Sequence, residues 1–228
     1  MFLNRPRLLH KLTSRVFSLS SLLFFCSSFA LAQQTFPSVT FKFDFPGAEP
    51  DHYVLLVSAD GHASYDSNGK LSLQSDAGDP VSLKFSISQA TCVRIFDLAA
   101  KAHHFEGKID SGRKGIANTG TKVLIYADGG ESTQATYNYS SLQAVQDLTA
   151  LFQQLSTTLE FGRRLEYYRR YQKTALDEEL TNMERESNQN GLQELAAVTP
   201  ILRQIANDSS LMNVVRARAQ RLLAASAK

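Results

Sequence analysis

Ser132-Thr-Gln-Ala-Thr-Tyr-Asn-Tyr139 runs directly into Ser140-Ser-Leu-Gln-Ala-Val-Gln-Asp-Leu-Thr-Ala-Leu-Phe152, and the spacing of apolar residues changes at that junction. Beyond it, Leu142, Val145, Leu148, Phe152, Leu155 and Leu159 recur every three or four positions. Before it, short β-rich runs are punctuated by Gly, Asp, Asn and Pro. A period of two marks a half-buried strand, and a period near 3.6 marks an amphipathic helix. The chain therefore reads as α+β. A mostly antiparallel sheet of five or six strands with one packed helix is expected over residues 33–139. An all-helical module with one long helix is expected over residues 140–228.

Working back from the junction, Thr121-Lys-Val-Leu-Ile-Tyr-Ala127 turns at Asp128-Gly129-Gly130 into the strand quoted above. Nearer the start, Val39-Thr-Phe-Lys-Phe-Asp-Phe45 alternates strictly, with Val39, Phe41, Phe43 and Phe45 on one side. Tyr53-Val-Leu-Leu-Val57 leads to Asp60-Gly61, a strong hairpin signal. A loop of those two residues pairs Leu56 with Tyr65 and Ser58 with Ala63. A further turn at Ser67-Asn68-Gly69, with Gly69 at positive φ, then sets Leu71 opposite Tyr65 and Leu73 opposite Ala63. The expected buried face is Val54, Leu56, Tyr65, Leu71 and Leu73. Val81-Ser-Leu-Lys-Phe-Ser-Ile87 alternates again. Ser88 then caps a helix to about His104, whose stripe is Cys92, Ile95, Phe96, Ala99 and His103.

Working forward, the stripe resumes after Gly162 as Leu165, Tyr168, Gln172, Leu176, Leu180 and Met183. A helix this long implies a kink near Gly162 or a protruding arm. Two shorter helices are expected around 191–207 and 210–226, with Pro200 opening or kinking one and Ser209 or Ser210 capping the last.

The first 32 residues read as a secretory signal peptide. Arg5, Arg7, Lys11 and Arg15 precede an apolar run from Val16 to Phe29, which ends in Ala30-Leu31-Ala32. The protein is thus expected to be exported, periplasmic or extracellular, with no transmembrane segment after cleavage. A lipid anchor at Cys26 is the competing reading; Phe25 stands where a small residue would be expected. Removing four cations and no acid turns the net charge of +2 into −2, which argues against nucleic acid. Only Cys92 would remain, so no disulfide framework is expected.

The sequence carries few motifs of known chemistry. His52, His62, His103 and His104 show no zinc-ligand spacing, Cys92 lies on an apolar stripe, and no GxSxG or phosphate-loop pattern occurs. No catalytic residue, metal or cofactor is assigned. The distinctive segment is Phe161-Gly-Arg-Arg-Leu-Glu-Tyr-Tyr-Arg-Arg-Tyr-Gln-Lys173. On a helix, Arg163, Glu166 and Arg170 share one face, and Phe161, Leu165 and Tyr168 share another. Arg163, Arg164, Tyr167, Arg169 and Arg170 are the candidate binding residues, competing with an ordinary solvated helix.

The hairpin around Asp60-Gly61, with Tyr65 and the later Ile95-Phe96-Asp97-Leu98-Ala99, resembles exported bacterial α+β domains of uncharacterised families over residues 38–139. The last two helices resemble a single HEAT-like pair. Neither resemblance implies a functional residue. The expectation is a non-catalytic extracytoplasmic interaction protein docking a partner through its helical module. That partner would be an envelope protein or an anionic cell-wall or lipid surface. The alternative is a small-ligand-binding or hydrolytic module, using a cleft between sheet and helices with Asp60, His62, His103 and His104.

Overall fold

The alternating runs form six strands: β1 (Ser38–Asp44), β2 (His52–Ser58), β3 (His62–Ser67), β4 (Val81–Ser86), β5 (Thr121–Asp128) and β6 (Glu131–Tyr137). They make one antiparallel sheet in the order β4-β3-β2-β1-β5-β6. The helices are α1 (Gln89–Lys101), α2 (Gln143–Tyr171), α3 (Leu176–Asn188), α4 (Thr199–Asn207) and α5 (Asn213–Ala225). This computed structural model describes residues 36–72, 75 and 77–226. The expected leader, Cys26 within it, and Leu73 lie outside the described residues. The fold is α+β: a six-stranded antiparallel sheet with one helix, then a helical region containing a 29-residue helix.

The register of the first hairpin corrects the sequence expectation. Its loop has three residues, Ala59-Asp60-Gly61, with Gly61 at φ +85° and Asp60 Oδ1 accepting the His62 N–H at 3.1 Å. Leu55 therefore pairs with Tyr65 and Val57 with Ala63. The buried face becomes Tyr53, Leu55 and Val57, not Val54 and Leu56. β1 enforces this choice, because Phe43, Phe41 and Val39 stand opposite Tyr53, Leu55 and Val57. All of them are buried, and a one-residue slip would turn every β2 side chain over.

The second hairpin is corrected as well. Asn68-Gly69 is not a turn between adjacent strands; Leu71 does not pair with Tyr65. β3 pairs with Val81–Ser86 instead, placing Leu83 opposite Tyr65. The ladder continues past the strand ends through the Asp79 N–H to the Gly69 carbonyl. Gly69 is not at positive φ. What demands glycine is close approach, since a Cβ there would stand 2.5 Å from Glu160 Oε2.

α1 starts where expected, with the Ser88 hydroxyl accepting the Thr91 N–H. It ends at Lys101, so His103 does not continue the apolar stripe and is exposed. His103, His104 and Phe105 all take left-handed backbone, φ 51°, 50° and 67°. Such residues cost about 1 kcal/mol or more each. The return is that Phe105 swings completely into the core.

α2 runs continuously through Gly162 to Tyr171, and Gln172 breaks the helix as its C-cap. The break expected near Gly162 thus falls ten residues later, and α3 folds back on α2 rather than extending as an arm. Gly162 is buried, and a side chain there is disfavoured because a Cβ would lie 2.5 Å from Val198 Cγ1. Residues 191–194 are not helical, Leu195–Val198 is a single 3-10 turn, and Pro200 lies in the first turn of α4. Neither Ser209 nor Ser210 caps α5; Met212 occupies that position without a side-chain bond. The Ser210 hydroxyl donates to Asp208 instead, at 2.6 Å.

The core divides inside α2. The sheet, α1 and α2 up to Leu159 form one apolar cluster, in which Phe41 stacks on Phe152 with ring centres 5.3 Å apart. From Phe161 onward, α2 belongs to a second cluster with α3, α4 and α5.

Candidate functional site

The basic-aromatic segment lies on the last three turns of α2, and burial sorts its cations. Arg163 is buried. Its guanidinium donates to Glu160 Oε2 at 2.8 Å and Oε1 at 3.0 Å, and to the Asp79 carbonyl at 2.6 Å. Glu160, also buried, accepts from the Tyr65 hydroxyl at 2.7 Å and the Ser67 hydroxyl at 2.6 Å. Burial, followed by the Glu160 charge, pushes the Tyr65 hydroxyl far above its ordinary pKa. A neutral tyrosine is what Glu160 needs as a donor. This network ties α2 to β3 and to the loop before β4.

Arg164 points elsewhere. Its Nε donates to Glu179 Oε1 at 2.7 Å, and its guanidinium lies 4.9 Å from the centre of the Phe161 ring. Burial raises the Glu179 carboxyl above its usual range even though Arg164 pulls it down. Arg169 is half-buried, with Nε 3.8 Å from Asp208 Oδ2. Arg170 is exposed and has no ion pair among the described residues.

Of the five candidate binding residues, Arg163, Tyr167 and Arg170 come together. With Glu166 and Tyr171 they form the α2 wall of a groove of about 420 Å³, whose opposite wall is Leu71, Asp79, Pro80 and Val81. Tyr167 contacts Tyr171 with ring centres 5.2 Å apart, and Tyr171 is 70% exposed. Arg164 and Arg169 lie outside this groove, against Glu179 and Asp208. The helical spacing placed Arg163, Glu166 and Arg170 on one face correctly.

The polar set of the alternative reading does not converge. Asp60 and His62 sit at the β2–β3 turn, beside the start of α1, where Cys92 Sγ contacts the Ser58 and Ala59 carbonyls. His103 and His104 follow the other end of α1, about 17 Å further along its axis at 1.5 Å per residue. His104 stacks on Tyr126 with ring centres 4.1 Å apart. It lines a cavity of about 580 Å³ with Glu106, Asp128, Glu131, Ser132 and Thr133. Burial pushes the Cys92 thiol up, away from reactivity. Among the described residues, no three His, Cys, Asp or Glu side chains gather closely enough to hold a metal ion. None of the described helices is long and apolar enough to cross a membrane.

Sequence reasoning missed the Glu160 network. The only signal available was an acid directly after Leu159 in an otherwise apolar stripe, three residues before Arg163. Its partners Tyr65 and Ser67 are more than ninety residues away. Compared with models of known protein families and with curated proteins, the chain matches none.

Proposed function

We propose that this is an exported, non-catalytic interaction protein that docks a partner of the cell envelope on the α2 wall of the groove. The observation that carries this reading is the last turn and a half of α2. There Tyr167 and Tyr171 flank Arg170, a cation with no ion pair among the described residues, while its neighbours Arg163 and Arg164 are neutralised inside the fold. Exposed aromatics beside an arginine are the residue types that anchor protein interfaces. The separation of Asp60 and His62 from His103 and His104 supports docking over hydrolysis. Export rests on the basic, apolar and small-residue pattern of residues 1–32.

The test is recovery of partner from an envelope fraction by the purified protein, its Arg170→Glu variant and its Tyr171→Ala variant. Both side chains are exposed, so the fold should survive both changes. Specific recovery by the parent and its loss in both variants is expected. Equal recovery by all three proteins would overturn the assignment of this face.

A further inference from the structure

The two edges of the sheet are finished differently. Along β6, residues 104–111 lie against the edge: the Thr133 hydroxyl donates to the His104 carbonyl, the Asn138 N–H to Asp110, and the Ser111 N–H to the Tyr139 carbonyl. At β4 nothing comparable occurs among the described residues. The Ile87 N–H donates to the Gly61 carbonyl, which sets the phase of the β3–β4 ladder. Antiparallel pairing alternates hydrogen-bonded and non-hydrogen-bonded pairs. Val81, Leu83 and Phe85 therefore bond to β3, while Ser82, Lys84 and Ser86 turn their N–H and C=O groups outward. The Asn68 N–H to the His52 carbonyl gives the same phase from the β2 side. No hydrogen bond among the described residues reaches those outward groups. Pro80, which has no N–H, occupies the outward position just before them.

Beside this open edge runs the groove already described. It continues past Val81 into a second hollow of about 150 Å³, lined by Leu83, Phe85, Gly162, Glu166, Val198 and Pro200, among others. Arg163 and Glu166 line both parts. α2 thus runs back along β4, with Leu159 near Phe85 and Tyr171 near Val81. Val81, Leu83 and Phe85 lie on the core face of the sheet, yet all three are only half-buried. Leu83 and Phe85 pack against the edge of the core cluster, and their remaining exposure opens into this hollow.

We propose that β4 and α2 form a strand-accepting groove for an extended segment of the partner protein. That segment carries apolar residues at alternate positions and a carboxylate at the Arg170 end. The occupant follows from three features. A row of unpaired N–H and C=O groups is satisfied in register only by another extended backbone. The half-covered Leu83 and Phe85 require apolar side chains on one face of that backbone. Charge orients it, because Arg170 has no ion pair among the described residues whereas Glu166 lies one helical turn, about 6 Å, back along the same wall. Two strand residues span about 6.8 Å, so Glu166 repels a second carboxylate two positions further along the segment. This inference rests on the docking reading of the same groove and adds the class of ligand.

The test uses the purified protein and fluorescein-labelled peptides of about six residues, the length of β4. The peptides alternate Val and Thr and carry Asp at one end or the other; binding is read by fluorescence anisotropy. Saturable binding is expected for one polarity. Lys84→Pro removes an outward N–H and leaves the bonds to β3 in place, so it should weaken binding by about tenfold or more, a factor set by roughly 1.4 kcal/mol. Lys84→Ala, which keeps the N–H, should bind as the parent does. Should Lys84→Pro fail to fold, as judged by circular dichroism, the same peptide N-methylated at alternate residues supplies the test from the ligand side: one methylation phase should abolish binding. The proposal is overturned if neither peptide polarity saturates, or if Lys84→Pro and both methylated peptides bind undiminished. Binding of phosphatidylglycerol vesicles in place of peptide overturns it too, as does a concentration-dependent dimer that Lys84→Pro dissolves. If envelope recovery needs Arg170 but is indifferent to Lys84→Pro, strand addition fails while the docking face stands.

Discussion

Arg163 and Arg164 are neighbours in sequence, yet they serve different halves of the molecule. A helix turns about 100° per residue, so Arg163 faces the sheet and Arg164 faces α3. On the sheet side, Glu160 gathers a guanidinium and two hydroxyls, and Arg163 also reaches the Asp79 carbonyl. On the helical side, Arg164 and Glu179 share one short bond. A buried ion pair offsets its desolvation only when its remaining donors and acceptors are met. The sheet-side network meets that condition more fully, and it is also the one that joins elements far apart in the chain. A run of like charges on one helix therefore hides three roles: a tie to the sheet, a tie within the helices, and in Arg170 a cation left facing the groove.

The contrast can be broken in graded steps. Glu160→Ala should have the largest effect, about 3–5 kcal/mol, because it strands a buried guanidinium and deprives two buried hydroxyls of their acceptor. Urea denaturation measures this, and a loss under about 1 kcal/mol would mean that the network does not hold the junction. Glu179→Ala should cost less, about 2 kcal/mol, since one bond is lost and burial already disfavours its charge. If it proved the costlier of the two, the ranking of the two sides would be reversed. Gly162→Ala gains helix propensity but drives a Cβ against Val198. A net loss of about 1 kcal/mol is expected. Pairing it with Val198→Ala should show coupling in a double-mutant cycle, and strict additivity would contradict the contact.

Two carboxylates sharpen the same comparison through pH. Burial raises the Glu179 carboxyl, so its ionised form burdens the native state. Stability from this group falls as pH rises from the ordinary glutamate value through its raised folded value. Glu184 also meets a desolvation penalty, but the hydrogen bonds from Arg221 and Arg218 outweigh it and hold its carboxyl low. Its contribution is present above the ordinary glutamate value and is lost as pH falls through the lowered folded value. NMR titration of the side-chain carboxyl carbons should place Glu179 above and Glu184 below free glutamate; the reverse order would refute the burial argument. The smallest effect belongs to Arg170→Glu and Tyr171→Ala, which should leave the melting transition within about 0.5 kcal/mol of the parent. A larger shift would show that these side chains support the fold rather than face a partner.

Much of the architecture was legible wherever periodicity is local. The alternation of Val39, Phe41 and Phe43, the Ser88 cap, the Asp128-Gly129-Gly130 turn and the stripe from Val145 to Leu159 each need only neighbours in sequence. The errors came where two distant surfaces compete. Asp60-Gly61 is compatible with a two- or a three-residue loop, and only pairing with β1 chose between them. Gly69 and Gly162 resemble a turn and a breaker, but both are glycines because Glu160 and Val198 press against their backbones. The binding candidates show the same divide. Helical spacing grouped Arg163 with Arg170 correctly, but it could not foresee that Glu160 and Asp79 would engage the first while the second has no ion pair among the described residues.

By itself, then, the sequence determined the α+β class, the switch from strand to helix at Ser140, the capped start of α1 and the shared face of Arg163, Glu166 and Arg170. These follow from backbone geometry and side-chain period, which act over a few residues. Tertiary structure alone decided the strand register, the end of α2 at Tyr171 and the left-handed turn that buries Phe105. It also decided which arginines are neutralised and which edge of the sheet is left open. Each of those depends on groups brought together from tens of residues apart, where burial and pairing outweigh local preference.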